Sequence, residues 1–84
     1  MRHAGPAALD QLEPLLRRIR GMTGLTEKTR GIFYLKSRAC LHFHEDPTGL
    51  YADIRLSSDD FHRLRVDTPD EQAVLIQWIK DARL

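Results

Sequence analysis

Eighty-four residues, 42% of them hydrophobic and 30% charged, specify one small domain with no room for a second core. Thirteen Lys and Arg against 12 Asp and Glu leave a formal charge of +1, which excludes a polycation built to neutralise a phosphate backbone. The single cysteine excludes an internal disulfide and a paired-cysteine zinc site, and no apolar run approaches the roughly 20 residues that span a bilayer.

Met1-Arg2-His3-Ala4-Gly5-Pro6 leads into no continuous apolar stretch, so no signal peptide is expected, and the expected setting is cytoplasmic, away from membranes. Residues 1–8 lack periodicity and are expected to form a disordered tail, with 9–84 as a single α+β domain. Leu9, Leu12, Leu15, Leu16 and Ile19 recur at helical spacing and predict a helix over residues 11–20. Asp10 with Glu13 offers a capping box, or Glu13 precedes Pro14 at the first helical position; Gly21 is the expected stop.

Three strand-length segments follow: Ile32 to Lys36, Ala39 to Glu45 and Leu50 to Leu56. Asp46-Pro47-Thr48-Gly49 has the chemistry of a tight turn, with proline fixing φ and glycine free to take positive φ. Setting Glu45 opposite Leu50 places Phe43 opposite Ala52 and Leu41 opposite Ile54 on one face. The other face then pairs His44 with Tyr51, His42 with Asp53 and Cys40 with Arg55, the segregation a half-buried antiparallel sheet requires. The preceding hairpin is ambiguous: a two-residue loop at Ser37-Arg38 turns Ile32 and Tyr34 inward, a three-residue loop Phe33 and Leu35. Leu64 to Val66 suggests a short edge strand. Thr68-Pro69-Asp70-Glu71 then opens a second helix with an N-cap, proline at N1 and glutamate at N3, followed by a broad apolar face from Ala73 to Ala82.

The predicted order is α-β-β-β-(β)-α: an antiparallel meander of three to four strands flanked by an N-terminal and a C-terminal helix, both covering its apolar face. Leu15, Ile19, Leu41, Phe43, Ala52, Ile54, Leu75, Trp78 and Ile79 are the expected core.

Gly24-Leu25-Thr26-Glu27 after the first helix, the strand at Ile32 to Leu35, the basic turn Lys36 to Arg38 and a second strand together resemble the MmcQ/YjbR-like family of small, mostly uncharacterised bacterial α/β proteins. The likeness covers residues 9–56 and departs from the family at Lys36-Ser37-Arg38, where Gly-Lys is usual. It implies a sheet flanked by helices and, for some members, a DNA-binding role; it supplies no catalytic residue.

The chemistry is selective by omission. No P-loop, no dinucleotide-binding glycine pattern and no nucleophile elbow is present. Cys40, beside His42 on a strand, is expected to be a small packing residue. Glu45-Asp46 and Asp59-Asp60 diverge as neighbours and are expected to serve turns and caps. His42-Phe43-His44 is the distinctive feature: alternation puts both imidazoles on one face with Tyr51 and Asp53 across the hairpin. This face admits three interpretations. It is a ligand or partner surface of His42, His44, Tyr51 and Asp53; or a zinc, iron or nickel site of His42, His44 and Asp53 with an open position; or a solvated face in which His42 pairs with Asp53 and His44 stacks on Tyr51. A carboxylate beside His42 is expected to favour its protonated form.

Charge is uneven. Arg17, Arg18, Arg20, Lys28, Arg30, Lys36 and Arg38 stand against only Glu27 in residues 17–38, and they are the candidate phosphate contacts. The acidic stretch 45–71 opposes phosphate binding. The expected function is therefore a small non-enzymatic binding or protein-interaction domain without a cofactor, with a protein partner or self-association. The alternatives are weak DNA or RNA binding through 17–38 and metal binding through His42 and His44. An enzyme is least expected, since so short a chain rarely encloses a deep pocket.

Overall fold

The computed structural model describes all 84 residues as two helices and an antiparallel sheet, the α+β class predicted. In chain order the elements are β1 (Arg2–His3), α1 (Pro6–Arg20), β2 (Leu25–Thr29), β3 (Ile32–Leu35), β4 (Arg38–Asp46), β5 (Gly49–Ile54), β6 (His62–Arg65) and α2 (Pro69–Ala82). The sheet runs β2-β3-β4-β5-β6, with β1 paired against the later half of β4. No helix is long and apolar enough to cross a membrane.

The first eight residues differ from expectation. They form no disordered tail in this structure: Arg2 pairs with Glu45 and His3 with His44 in the ladder, and the Ala4 amide donates to Phe43 O at 3.0 Å. The Glu45 carboxylate fixes the segment further, accepting from the Gly5 amide at 2.6 Å and from Arg2 at 2.9 Å. The helix then begins at Pro6, where a missing N–H costs nothing, and not near residue 11. Pro14 consequently lies inside α1, and Asp10 and Glu13 are helical residues free to reach other elements. Ala8, Leu12, Leu15, Leu16 and Ile19 are the buried stripe.

The β4–β5 hairpin has the register expected: Leu41 opposite Ile54, His42 opposite Asp53, Phe43 opposite Ala52, His44 opposite Tyr51 and Glu45 opposite Leu50. The β3–β4 hairpin resolves the earlier ambiguity by a third route. Its turn is Lys36-Ser37, yet Phe33 faces the core because the register shifts between Phe33 and Tyr34. The extra residue is Cys40, which leaves the polar face and is buried, its thiol donating to Phe33 O at 3.5 Å. A further strand, β2, joins through a turn at Arg30-Gly31; Gly31 has φ +82, and its amide donates to Glu27 Oε2 at 2.8 Å.

One core unites Leu12, Leu15, Leu16 and Ile19 of α1, Leu75, Ile76 and Ile79 of α2, and Phe33, Leu41, Phe43, Ala52 and Ile54 of the strands. Strand alternation places those inward residues on a single face, so both helices cover one side of the sheet and leave the other free of helices. Trp78 is the exception among the expected core residues. It is 38% exposed and packs edge-on against His62 at 5.3 Å. The capping box of α2 forms as predicted, Thr68 Oγ1 accepting from Glu71 N and Glu71 Oε1 from Thr68 N.

Candidate metal centre

Alternation along β4 puts His42 and His44 on the face without helices, and the neighbouring strands complete two rows across it. One row runs His3, His44, Tyr51 and Arg65; the other runs His42, Asp53 and Arg63. His3 is the residue that sequence periodicity missed. A two-residue strand carries no alternation of its own, and its position follows only from pairing with β4.

The three imidazoles are in mutual contact. His3 stacks on His44 at 4.7 Å between centroids, and His42 meets His44 edge-on at 4.9 Å. One ring nitrogen from each of His3, His42 and His44 can be chosen so that all three lie within 4.8 Å of one another. Around a tetrahedral ion with metal–nitrogen bonds of about 2.0–2.1 Å, such nitrogens sit about 3.3 Å apart. The difference is a ring adjustment, and His3, exposed at the end of β1, has room to make it.

Asp53 is not the third ligand expected of it. Both its oxygens accept from Arg63 at 2.8 Å, and Oδ2 lies 3.1 Å from His44 Nε2. The Arg63 guanidinium therefore holds the Asp53 carboxyl below the usual carboxylate range against the opposing effect of burial. Nor does His42 pair with Asp53 or gain protonation from it. Desolvation, then the neighbouring His44, push the His42 pKa down, and the attraction of Asp53 does not offset them. His42 packs beneath Phe61, edge-on at 4.9 Å, and Phe61 in turn lies under the Arg55 guanidinium at 4.4 Å. Tyr51 is turned away from the imidazoles: its hydroxyl bonds to Thr48 at 2.7 Å and accepts from Arg65 at 3.0 Å.

His44 holds the clearest chemical signal. Its Nε2 faces Asp53 and also lies 3.0 Å from His42 Nδ1, whereas its Nδ1 is buried with no hydrogen-bond partner. A buried ring nitrogen without a partner carries a desolvation cost that a ligated ion would relieve.

The candidate phosphate contacts do not gather into one basic face. Arg17 and Arg20 pair with Glu13 at 3.3 and 2.6 Å, and Arg20 also binds Glu27. Arg30 bridges Asp10 and Glu13, each at 2.9 Å. Arg38 pairs with Asp59 and Lys28 lies over the Tyr34 ring, leaving Arg18, Lys28 and Lys36 without an acidic partner. Cys40 is no nucleophile in this setting, since burial pushes its thiol pKa up against a weaker opposing effect of Arg55. In comparisons with protein-family models, curated proteins and solved structures, nothing matches this chain.

Proposed function

We propose that this chain is a small non-enzymatic binding module whose helix-free sheet face takes up a divalent transition-metal ion through His3, His42 and His44. The observation that carries the proposal is the convergence of three imidazoles from two strands, one of them with a buried, unpartnered ring nitrogen. Imidazole donors suit zinc, nickel, copper and iron(II). Three protein ligands leave a coordination position toward solvent, where water or a donor from a partner protein would bind. Asp53 acts behind the ligands: its ionised carboxylate, 3.1 Å from His44 Nε2, favours a proton on that nitrogen and so biases the tautomer of the ring. A cytoplasmic setting belongs to the same proposal and is supported by the one unpaired cysteine. Nucleic-acid binding is disfavoured because Arg17, Arg20, Arg30 and Arg38 of the basic stretch are already paired with carboxylates.

Calorimetric titration of zinc and of nickel tests the proposal. The expected result is saturable binding of one ion per chain by the wild type, lost in His44→Ala and weakened in His3→Ala, with both variants retaining the wild-type circular dichroism. Because the ligands bind as neutral imidazoles, affinity must fall as pH drops through the histidine range. Absence of heat with folded wild type at tens of micromolar protein would refute it.

A further inference from the structure

Away from the histidines, the β3–β4 turn and the segment leaving β5 enclose a cavity of about 300 Å³. Its lining combines the basic residues Lys36, Arg38 and Arg55 with the apolar residues Leu35, Leu56 and Cys40. No carboxylate lines it. This sets it apart from the α1 side of the molecule, where arginines are matched by Asp10, Glu13 and Glu27.

The three cations differ in how they are held. Arg55 is positioned from two sides, its Nε donating to Ala39 O at 2.9 Å and its guanidinium resting on Phe61, while no carboxylate pairs with it. Its remaining N–H groups are donors without an acidic acceptor. Lys36 occupies the left-handed region at φ 59, an unfavourable conformation for a residue with a β-carbon, and it too lacks an ion pair. Arg38 is paired only with Asp59, whose side chain is 93% exposed and so available for displacement. Leu35 and Leu56 are apolar and burial pushes the Cys40 thiol pKa up, so this part of the lining suits a hydrocarbon group more than a second charge.

We propose that this cavity binds a small organic phosphomonoester, with the phosphate at Lys36, Arg38 and Arg55 and the organic group against Leu35, Leu56 and Cys40. Three cations lining one cavity match a dianionic head with three terminal oxygens. A cavity of this size lies at the lower end of ligand-binding pockets, and a net charge of +1 disfavours a long polyanion. The site shares no lining residue with the histidine cluster, although Phe61 lies between Arg55 and His42, and it stands whether or not that cluster binds metal.

Amide chemical-shift titrations separate the outcomes, using phenyl phosphate, inorganic phosphate and a short DNA duplex as probes. Phenyl phosphate is expected to shift the amides of residues 35–40 and 55–58 saturably, with a dissociation constant of roughly 1 mM or tighter. Lys36→Gly with Arg38→Gln should weaken that binding roughly tenfold or more by removing two charge-assisted contacts. Glycine also relieves the positive φ, so the double variant should keep a folded spectrum, and His44→Ala should bind like the wild type. No saturable shift at roughly 10 mM phenyl phosphate, or undiminished binding by the double variant, would overturn the site. Equal affinity for inorganic phosphate would overturn the role of the apolar lining. Tighter binding of the duplex through the same amides would overturn the small-ligand assignment in favour of a nucleic-acid backbone.

Discussion

Asp53 lies in the middle of β5 with Arg63 on one neighbouring strand and His44 on the other, so one carboxylate links a fixed cation to an imidazole. Arg63 holds both oxygens, which keeps the carboxylate ionised and its direction set. An ionised carboxylate 3.1 Å from Nε2 favours the tautomer with its proton there and so biases which ring nitrogen of His44 is left as a donor to metal. Asp53→Asn keeps the size and removes the charge, and it should reduce zinc affinity about 10–100-fold, the usual effect of losing such an outer partner. Zinc calorimetry on Asp53→Asn beside Asn-free wild type gives the number. An unchanged affinity would mean the carboxylate serves only Arg63. The orphaned nitrogen of His44 then has no orienting partner to explain its position.

At the scale of elements, the two helices contribute unequally to the core. Leu75, Ile76 and Ile79 of α2 are buried, but Val74 and Trp78 on its flank are 48% and 38% exposed. Phe33, by contrast, is fully buried at the centre of the sheet. Phe33→Ala should therefore cost about 3–5 kcal/mol, whereas Trp78→Ala should cost about 1–2 kcal/mol, because only part of the indole leaves water. Urea midpoints of the two variants decide this, and equal losses would show that Trp78 is as central as its size suggests. The contrast also shows what periodicity can convey. The β4–β5 register was legible because both strands alternate cleanly and a short turn fixes their offset. Trp78 was misassigned because a helical stripe gives direction but not width; the sheet ends before the stripe does. The strand Leu25–Thr29 was missed because it holds one apolar residue in five and owes its conformation to pairing with β3. Cys40 was placed on the wrong face because a bulge leaves composition unchanged. The site was half legible for the same reason: His42 and His44 sit on an alternating strand, while His3 is brought to them by tertiary pairing alone.

Across the whole molecule, the near balance of charge conceals an organised arrangement. Glu27 is not the only carboxylate facing the basic stretch: Asp10 and Glu13, one turn apart on α1, pair with Arg30 of the β2–β3 turn, and Arg20 at the end of α1 links Glu13 to Glu27 of β2. Glu13 feels this most: hydrogen bonds from Arg20, then Arg30, hold its pKa down to about 2. Glu27 is lowered as well, although burial opposes it, because Arg20 and the Gly31 amide together outweigh that cost. Groups whose pKa is depressed by folding leave the unfolded chain binding more protons, so stability rises with pH across the interval. Their contribution is complete above the ordinary carboxylate value of 4.5 and is lost as pH falls below it, for Glu13 toward about 2. The urea midpoint should accordingly drop between pH 4.5 and pH 2. Glu13→Gln removes the most strongly depressed carboxylate of the network and should make that drop shallower while lowering the midpoint near neutrality. High salt should narrow the difference between the two proteins, since these pairs lie at the surface and are screened. If Glu13→Gln and wild type lose stability with the same slope, the acid sensitivity comes from other carboxylates, and Glu13 is not the residue through which Arg20 and Arg30 couple α1 to the sheet.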